Sequence, residues 1–89
     1  MKAVLTVVGE DSVGILAEVA LTCAKLEINI EEVTQSILAG TFAMIMVVDI
    51  SACTVPFETA QSTLAAAGVR KGVEVKMTRR ELYDKMHRI

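Results

Sequence analysis

Residues 41–50, Thr-Phe-Ala-Met-Ile-Met-Val-Val-Asp-Ile, constrain the fold more than any other stretch. Extended, they put Phe42, Met44, Met46, Val48 and Ile50 on one face and Ala43, Ile45 and Val47 on the other. Successive strand side chains point to opposite faces, so a strand apolar on both needs cover on both and belongs inside a sheet. The rest of the chain must supply that sheet and its cover. It is 53% hydrophobic but only 3% aromatic, so the core has to be built from Val, Ile, Leu, Met and Ala. Eighty-nine residues bury a modest fraction of their surface. This much apolar material therefore leads us to expect that some of it faces a second subunit.

The remaining elements follow from periodicity. Residues 2–8 alternate Ala3, Leu5, Val7 against Val4, Thr6, Val8, a second central strand. A helix is predicted from about Val13 to Leu26, with Leu16, Val19, Ala20, Cys23, Ala24 and Leu26 as its buried stripe and Asp11 or Ser12 as its cap. Residues 29–39 read as a strand whose Thr34, Gln35 and Ser36 suit a sheet edge, and Gly40 closes a hairpin into residues 41–50. Pro56 opens a second helix at a first-turn position, Phe57, Ala60, Leu64 and Ala67 line it, and Gly68 ends it as a left-handed cap. Val73, Val75 and Met77 alternate with polar residues in a fourth strand. Leu82, Met86 and Ile89 recur at helical spacing in a short last helix, too short to stand without a docking surface.

The order is βαββαβ plus a helix. Its economical packing is an α+β, ferredoxin-like sandwich: one four-stranded antiparallel sheet with two helices on one face and right-handed crossovers. The other face is left for a second copy of the chain and the last helix to cover. The whole reads as one domain, a core at residues 2–79 and an amphipathic helix at residues 80–89.

Several function classes drop out. No run reaches the roughly 20 apolar residues of a membrane span, and no signal peptide is indicated. Cys23 and Cys53 lack metal-ligand spacing, and Cys23 sits on an apolar stripe as a small hydrophobe would. Reduced thiols without an export signal point to the cytoplasm. Arg70, Lys71, Lys76, Arg79 and Arg80 make the second half mildly basic, but acidic residues interrupt them and aromatic residues for base stacking are few, so nucleic acid is not the expected partner. Glu31 and Glu32 are adjacent on a strand and point apart, which disfavours a metal site with Glu10 or Asp11. His87 has no acid or nucleophile beside it in the sequence. No phosphate loop, zinc cluster or nucleophile–base–acid set is present, so no catalytic residue, metal or cofactor is expected.

One segment looks like a site. Gly9-Glu10-Asp11-Ser12-Val13-Gly14 carries the chain from a strand straight into a helix through a turn with two glycines. Such a turn brings backbone N–H groups and the carboxylates of Glu10 and Asp11 close to a small ligand. Equally, Asp11 could serve only as a cap and Gly14 only helix–sheet packing.

The βαββαβ order, the Asp-x-x-Gly turn at residues 11–14 and Asn29-Ile30 at the start of the second strand together resemble the ACT domain, a small regulatory amino-acid-binding module. Asn29-Ile-Glu-Glu followed by Gly40-Thr-Phe-Ala-Met-Ile-Met is similar to the ACT modules of the glycine cleavage system repressor. The ending Tyr83-Asp-Lys-Met-His-Arg-Ile resembles a group of stand-alone, single-domain ACT proteins of bacteria and archaea. The resemblance covers residues 2–79. It implies an amino-acid pocket at a dimer interface, formed by the turn after the first strand and the start of the second, and so singles out Asp11, Gly14 and Asn29. Many ACT domains have Pro before that glycine; here it is Val13, which leaves the turn less stiff.

An amino acid offers an ammonium for Asp11 or Glu10 and a carboxylate for the helix start at Gly14, with Asn29 able to donate and accept. The reading is a regulatory, non-enzymatic, homodimeric module that senses an amino acid or related metabolite through Glu10, Asp11, Ser12, Val13, Gly14 and Asn29. The competing reading is a protein-interaction module with a vestigial pocket, using its apolar sheet face and tail on a partner protein.

Overall fold

A computed structural model describes residues 1–86; His87 and Ile89, which the sequence assigns to the last helix, lie outside them. The elements are β1 (Lys2–Glu10), α1 (Ile15–Lys25), β2 (Asn29–Leu38), β3 (Thr41–Asp49), α2 (Phe57–Arg70), β4 (Val73–Arg79) and α3 (Arg80–Met86). The four strands form one antiparallel sheet in the order β2-β3-β1-β4. This is the expected ferredoxin-like sandwich. The doubly apolar strands β1 and β3 are its interior, and the polar β2 is an edge.

One sheet face is sealed by α1 and α2. Leu5 and Val7 of β1, Phe42, Met44, Met46 and Val48 of β3, and Val73, Val75 and Met77 of β4 meet Ile15, Val19 and Cys23 of α1 and Ala60 and Leu64 of α2. Each large side chain buried here contributes about 1.5–3 kcal/mol. Glu18 of α1 accepts a hydrogen bond from the Arg70 guanidinium of α2 at 2.8 Å, which fastens the helices together and holds the Glu18 carboxyl below its usual range. Burial pushes the Cys23 thiol up to about 11, with Cys53 adding to the shift, so Cys23 is an inert core residue.

The helices differ from expectation at their ends. α1 starts at Ile15, not Val13, and neither Asp11 nor Ser12 caps it; its N-cap is Gly14, in left-handed conformation with φ 89°. Its buried stripe is turned from the expected one by the way α1 packs on the sheet: Ile15, Val19, Thr22, Cys23 and Leu26 are buried, while Ala24 and Leu16 face outward, Leu16 being 40% exposed. Pro56 is the N-cap of α2 rather than a residue of its first turn. Gly68 does not end α2, which runs on to Arg70. Its lack of a side chain serves packing: a Cβ there would lie 2.7 Å from the Val73 carbonyl oxygen. The left-handed position after α2 belongs to Gly72, with φ 72°.

β2 carries a bulge between Ile30 and Glu32. One extra residue reverses the alternation beyond it. Ile30, Val33, Gln35 and Ile37 stand opposite Val48, Met46, Met44 and Phe42, on the helix-covered side; Glu32, Thr34 and Ser36 fall on the open side. At the bulge Glu31 accepts a hydrogen bond from Lys2, which also pairs with Asp49. The β2–β3 hairpin turns on Ala39 (φ 52°) and Gly40 (φ 80°), both left-handed as a two-residue type I′ turn requires.

α3 lies against β1 and β4 on the open side, where Tyr83 and Met86 border a hollow over Val8 and Ile45. It buries none of its residues; Leu82 is 53% and Met86 63% exposed. Met44, Met46 and Met77 are core, while Met1 and Met86 are on the surface.

Candidate functional site

The turn after β1 is built by its neighbours rather than by its own side chains. Glu10 ends β1 opposite Thr41, and the next amide, Asp11 N–H, donates to the Gly40 carbonyl at 2.9 Å. That bond ties the turn to the tip of the β2–β3 hairpin. The chain then needs a left-handed step to enter α1, and Gly14 provides it. The Gly14 carbonyl accepts the first helical bond from Glu18 N–H at 2.9 Å.

No side chain caps α1. The first N–H groups of a helix have no partner within it and carry the positive end of its dipole. Here they open onto the exposed surface of Asp11, Ser12 and Val13. A fourth contributor was not visible in the sequence: the Lys71 ammonium, from the α2–β4 junction, stands 3.3 Å from the point where a Cβ on Gly14 would sit. Lys71 follows the last residue of α2, a position with no sequence signal linking it to Gly14. Only the packing of α2 beside α1 brings the two together.

From the turn an open groove of about 490 Å³ runs between α1 and β2. Leu16 and Ala20 form its α1 wall, and Ile37, Phe42 and Gln35 its strand side. Its volume falls in the range of small-molecule sites, which pair an apolar lining with a few placed polar groups. Another hollow, about 150 Å³ between Ile50, Cys53, Val55 and Phe57, lies toward the other end of the sheet; the Arg79 guanidinium packs over the Phe57 ring at 4.0 Å beside it.

The structure thus gathers Glu10, Asp11, Ser12, Val13 and Gly14 around one turn, but Asn29 is elsewhere. Asn29 pairs with Asp49, whereas Leu38 pairs with Thr41 beside Glu10. From Thr41 to Asp49 is eight steps of roughly 3.4 Å, so Asn29 lies about 27 Å from the turn along its own sheet. Its neighbours there are already bonded: Lys2 holds Glu31 and Asp49, and the Ser51 N–H donates to Asp49 at 2.9 Å. Those bonds from Ser51, and then Lys2, draw the Asp49 carboxyl down to about 2. Among the described residues no three His, Cys, Asp or Glu side chains are placed to hold a metal, and no helix is long and apolar enough to cross a membrane.

Comparison with known proteins identifies the fold and the family. Residues 2–78 match the family model described as an ACT domain. A UPF0237 protein of Listeria monocytogenes is 43% identical over 89 residues, covering 100% of both chains. Among solved structures, an ACT domain protein from Streptococcus pneumoniae superposes with a TM-score of 0.82 at 32% identity over 94% of each chain. A putative glycine cleavage system transcriptional repressor shares the fold at a TM-score of 0.71 and 23% identity, over 86% of this chain and 44% of that one. The chain belongs to the ACT domain family of small-molecule regulatory modules.

Proposed function

We propose that this chain is a non-enzymatic regulator, working as one unit without a cofactor, that binds an amino acid or similar small metabolite at the turn of residues 10–14 in a homodimer. The observation that carries the reading is the uncapped start of α1, with Gly14 left-handed and the Lys71 ammonium beside it. A ligand carboxylate suits those N–H groups and Lys71; a ligand ammonium suits Asp11 or Glu10. Charge-assisted bonds contribute about 1.5–3 kcal/mol each. After association costs, three or four give millimolar to micromolar affinity, about −4 to −8 kcal/mol.

Dimerisation accounts for Asn29. β2 is an edge with one side unpaired by the sheet. Antiparallel pairing of two β2 edges about a two-fold axis sets Asn29 of one copy near Leu38 of the other, and so beside that copy's turn. The second copy then also walls the open side of the groove. The test is a thermal-shift screen of the common amino acids at millimolar concentration, with light scattering to count subunits. A ligand should raise the melting temperature of the wild type and leave Asn29→Ala unmoved. A screen in which no amino acid shifts the wild-type melting temperature sinks the reading.

A second reading, a protein-interaction module, is favoured by α3. This seven-residue helix has no buried residue and sits on an open sheet face that also exposes Val8 and Ile45. Removing residues 80–89 should abolish capture of a partner enzyme or transcription factor; capture that survives the deletion counts against it.

A further inference from the structure

We propose that the hollow between α3 and the open side of the sheet is a second binding site, for a molecule with an apolar body and one anionic head, an aliphatic or aromatic monocarboxylate. This hollow and the groove beside the turn share no lining residue, so the site stands apart from the amino-acid reading. Strand register fixes its floor. Thr6 stands opposite Ile45 on one side and Lys76 on the other, so Ile45, Thr6 and Lys76 form one row across β3, β1 and β4. Val8 and Ala43 face each other in the next row of the same side. Tyr83 and Met86 of α3 close the hollow from above, around about 320 Å³, which is enough for a small molecule.

The lining divides into hydrocarbon and charge. Val8 is 49%, Ile45 43% and Met86 63% exposed, and all three border this one hollow. An apolar body laid between them removes hydrocarbon from water on floor and roof together. Among the described residues, Lys76 is the one charged side chain in the lining. It stands at the β4 end of the row, two strands and roughly 10 Å from Ile45. Its ion pair is with Glu74 at 3.7 Å, between two exposed side chains, a weak contact that a ligand carboxylate can share or replace. The Thr6 and Thr78 hydroxyls can donate to the same head. A cationic head would meet Lys76 with no acid in the lining. A molecule held this way touches α3 and the sheet at once, and α3, with no buried residue, has little else to hold it there.

Tyr83 is the chain's sole tyrosine and there is no tryptophan, so intrinsic fluorescence reads this hollow directly. The experiment titrates the full chain with octanoate and with octylammonium, a matched pair of opposite charge, below their micelle thresholds. Octanoate should change the tyrosine emission saturably and bind about three- to fivefold tighter than octylammonium, the scale of an exposed charge pair. The chain's net charge of -2 works against that order, so the order reports Lys76 rather than the overall field. Lys76→Glu, a change at an exposed position, should reverse it. Ile45→Glu, which puts a carboxylate on the floor, should abolish octanoate binding. No saturable response to octanoate, equal binding of the two ions, an order unchanged in Lys76→Glu, or octanoate binding retained in Ile45→Glu overturns the proposal. Two rival occupants would overturn it as well. Binding that appears only when residues 87–89 are removed assigns the hollow to the chain's own end. Tyrosine emission that changes on dilution without ligand assigns it to a second copy. Every one of these outcomes leaves the amino-acid site at the turn untouched.

Discussion

Where β1 begins, Lys2, Glu31, Asp49 and Ser51 are bonded to one another; where it ends, Glu10 and Asp11 make no side-chain ion pair or hydrogen bond among the described residues, and Lys71 acts on the Glu18 carboxylate only across space. Both ends carry acids, a base and a strand terminus. At the first, a bulge in β2 pushes Glu31 toward Lys2, and each charge finds its complement within the fold. At the second, a left-handed glycine turns the chain into a helix whose first amides no side chain caps. Polar groups left without partners mark where a fold can accept something from outside; polar groups satisfied internally hold the strands in register.

Gly14→Val should break the second end most severely. A β-branched residue at φ 89° is strained by about 1–3 kcal/mol, and its side chain would displace Lys71. We expect a lowered melting temperature together with complete loss of the amino-acid response; a retained response would show that the turn is not the site. Lys71→Ala is the sharper variant. It should weaken ligand binding by about 1.5–3 kcal/mol while the apo protein melts within a degree or two of wild type, read by calorimetry and thermal melts.

The first end should answer to pH instead. The Asp49 carboxyl is held down to about 2 by its bonds from Ser51 and by Lys2, below the ordinary unfolded value near about 4. Its folded pKa is depressed, so its contribution to stability is complete above that unfolded value and is lost as pH falls toward about 2. Denaturant melts from pH 6 to pH 2 should show Asp49→Asn lacking part of the wild-type acid sensitivity, with ligand response at neutral pH unchanged. Equal acid sensitivity in the two proteins would mean this cluster does not hold the strands. The smallest effect is expected at the hairpin tip. Ala39 sits at φ 52°, and Ala39→Gly should stabilise by roughly 0.5 kcal/mol, the relief of a left-handed alanine offset by glycine's greater freedom when unfolded.

The closed end and the open end were not equally readable. The alternation in residues 41–50 placed β3 inside the sheet, and Thr34, Gln35 and Ser36 placed β2 at its edge, because strand alternation has a strict period of two and survives without knowledge of neighbours. Gly40 declared a hairpin for the same local reason. Glycine elsewhere misled: Gly68 had the position of a helix cap but is a contact with β4, a role visible only once β4 is packed against it. The caps expected at Asp11 and Ser12 did not form: the Asp11 amide is bonded to the Gly40 carbonyl, and the chain enters α1 at Ile15 through the left-handed Gly14.

By itself, the sequence determined the element order, the two interior strands, the edge and the turn that looks like a site, since each depends on residues near in the chain. Tertiary structure alone decided the bulge that sends Gln35 and Ile37 into the groove, the separation of Asn29 from the turn, and the arrival of Lys71 over Gly14. Those depend on register across strands and on one helix lying beside another, and long-range pairings of that kind leave no periodic trace in a single chain.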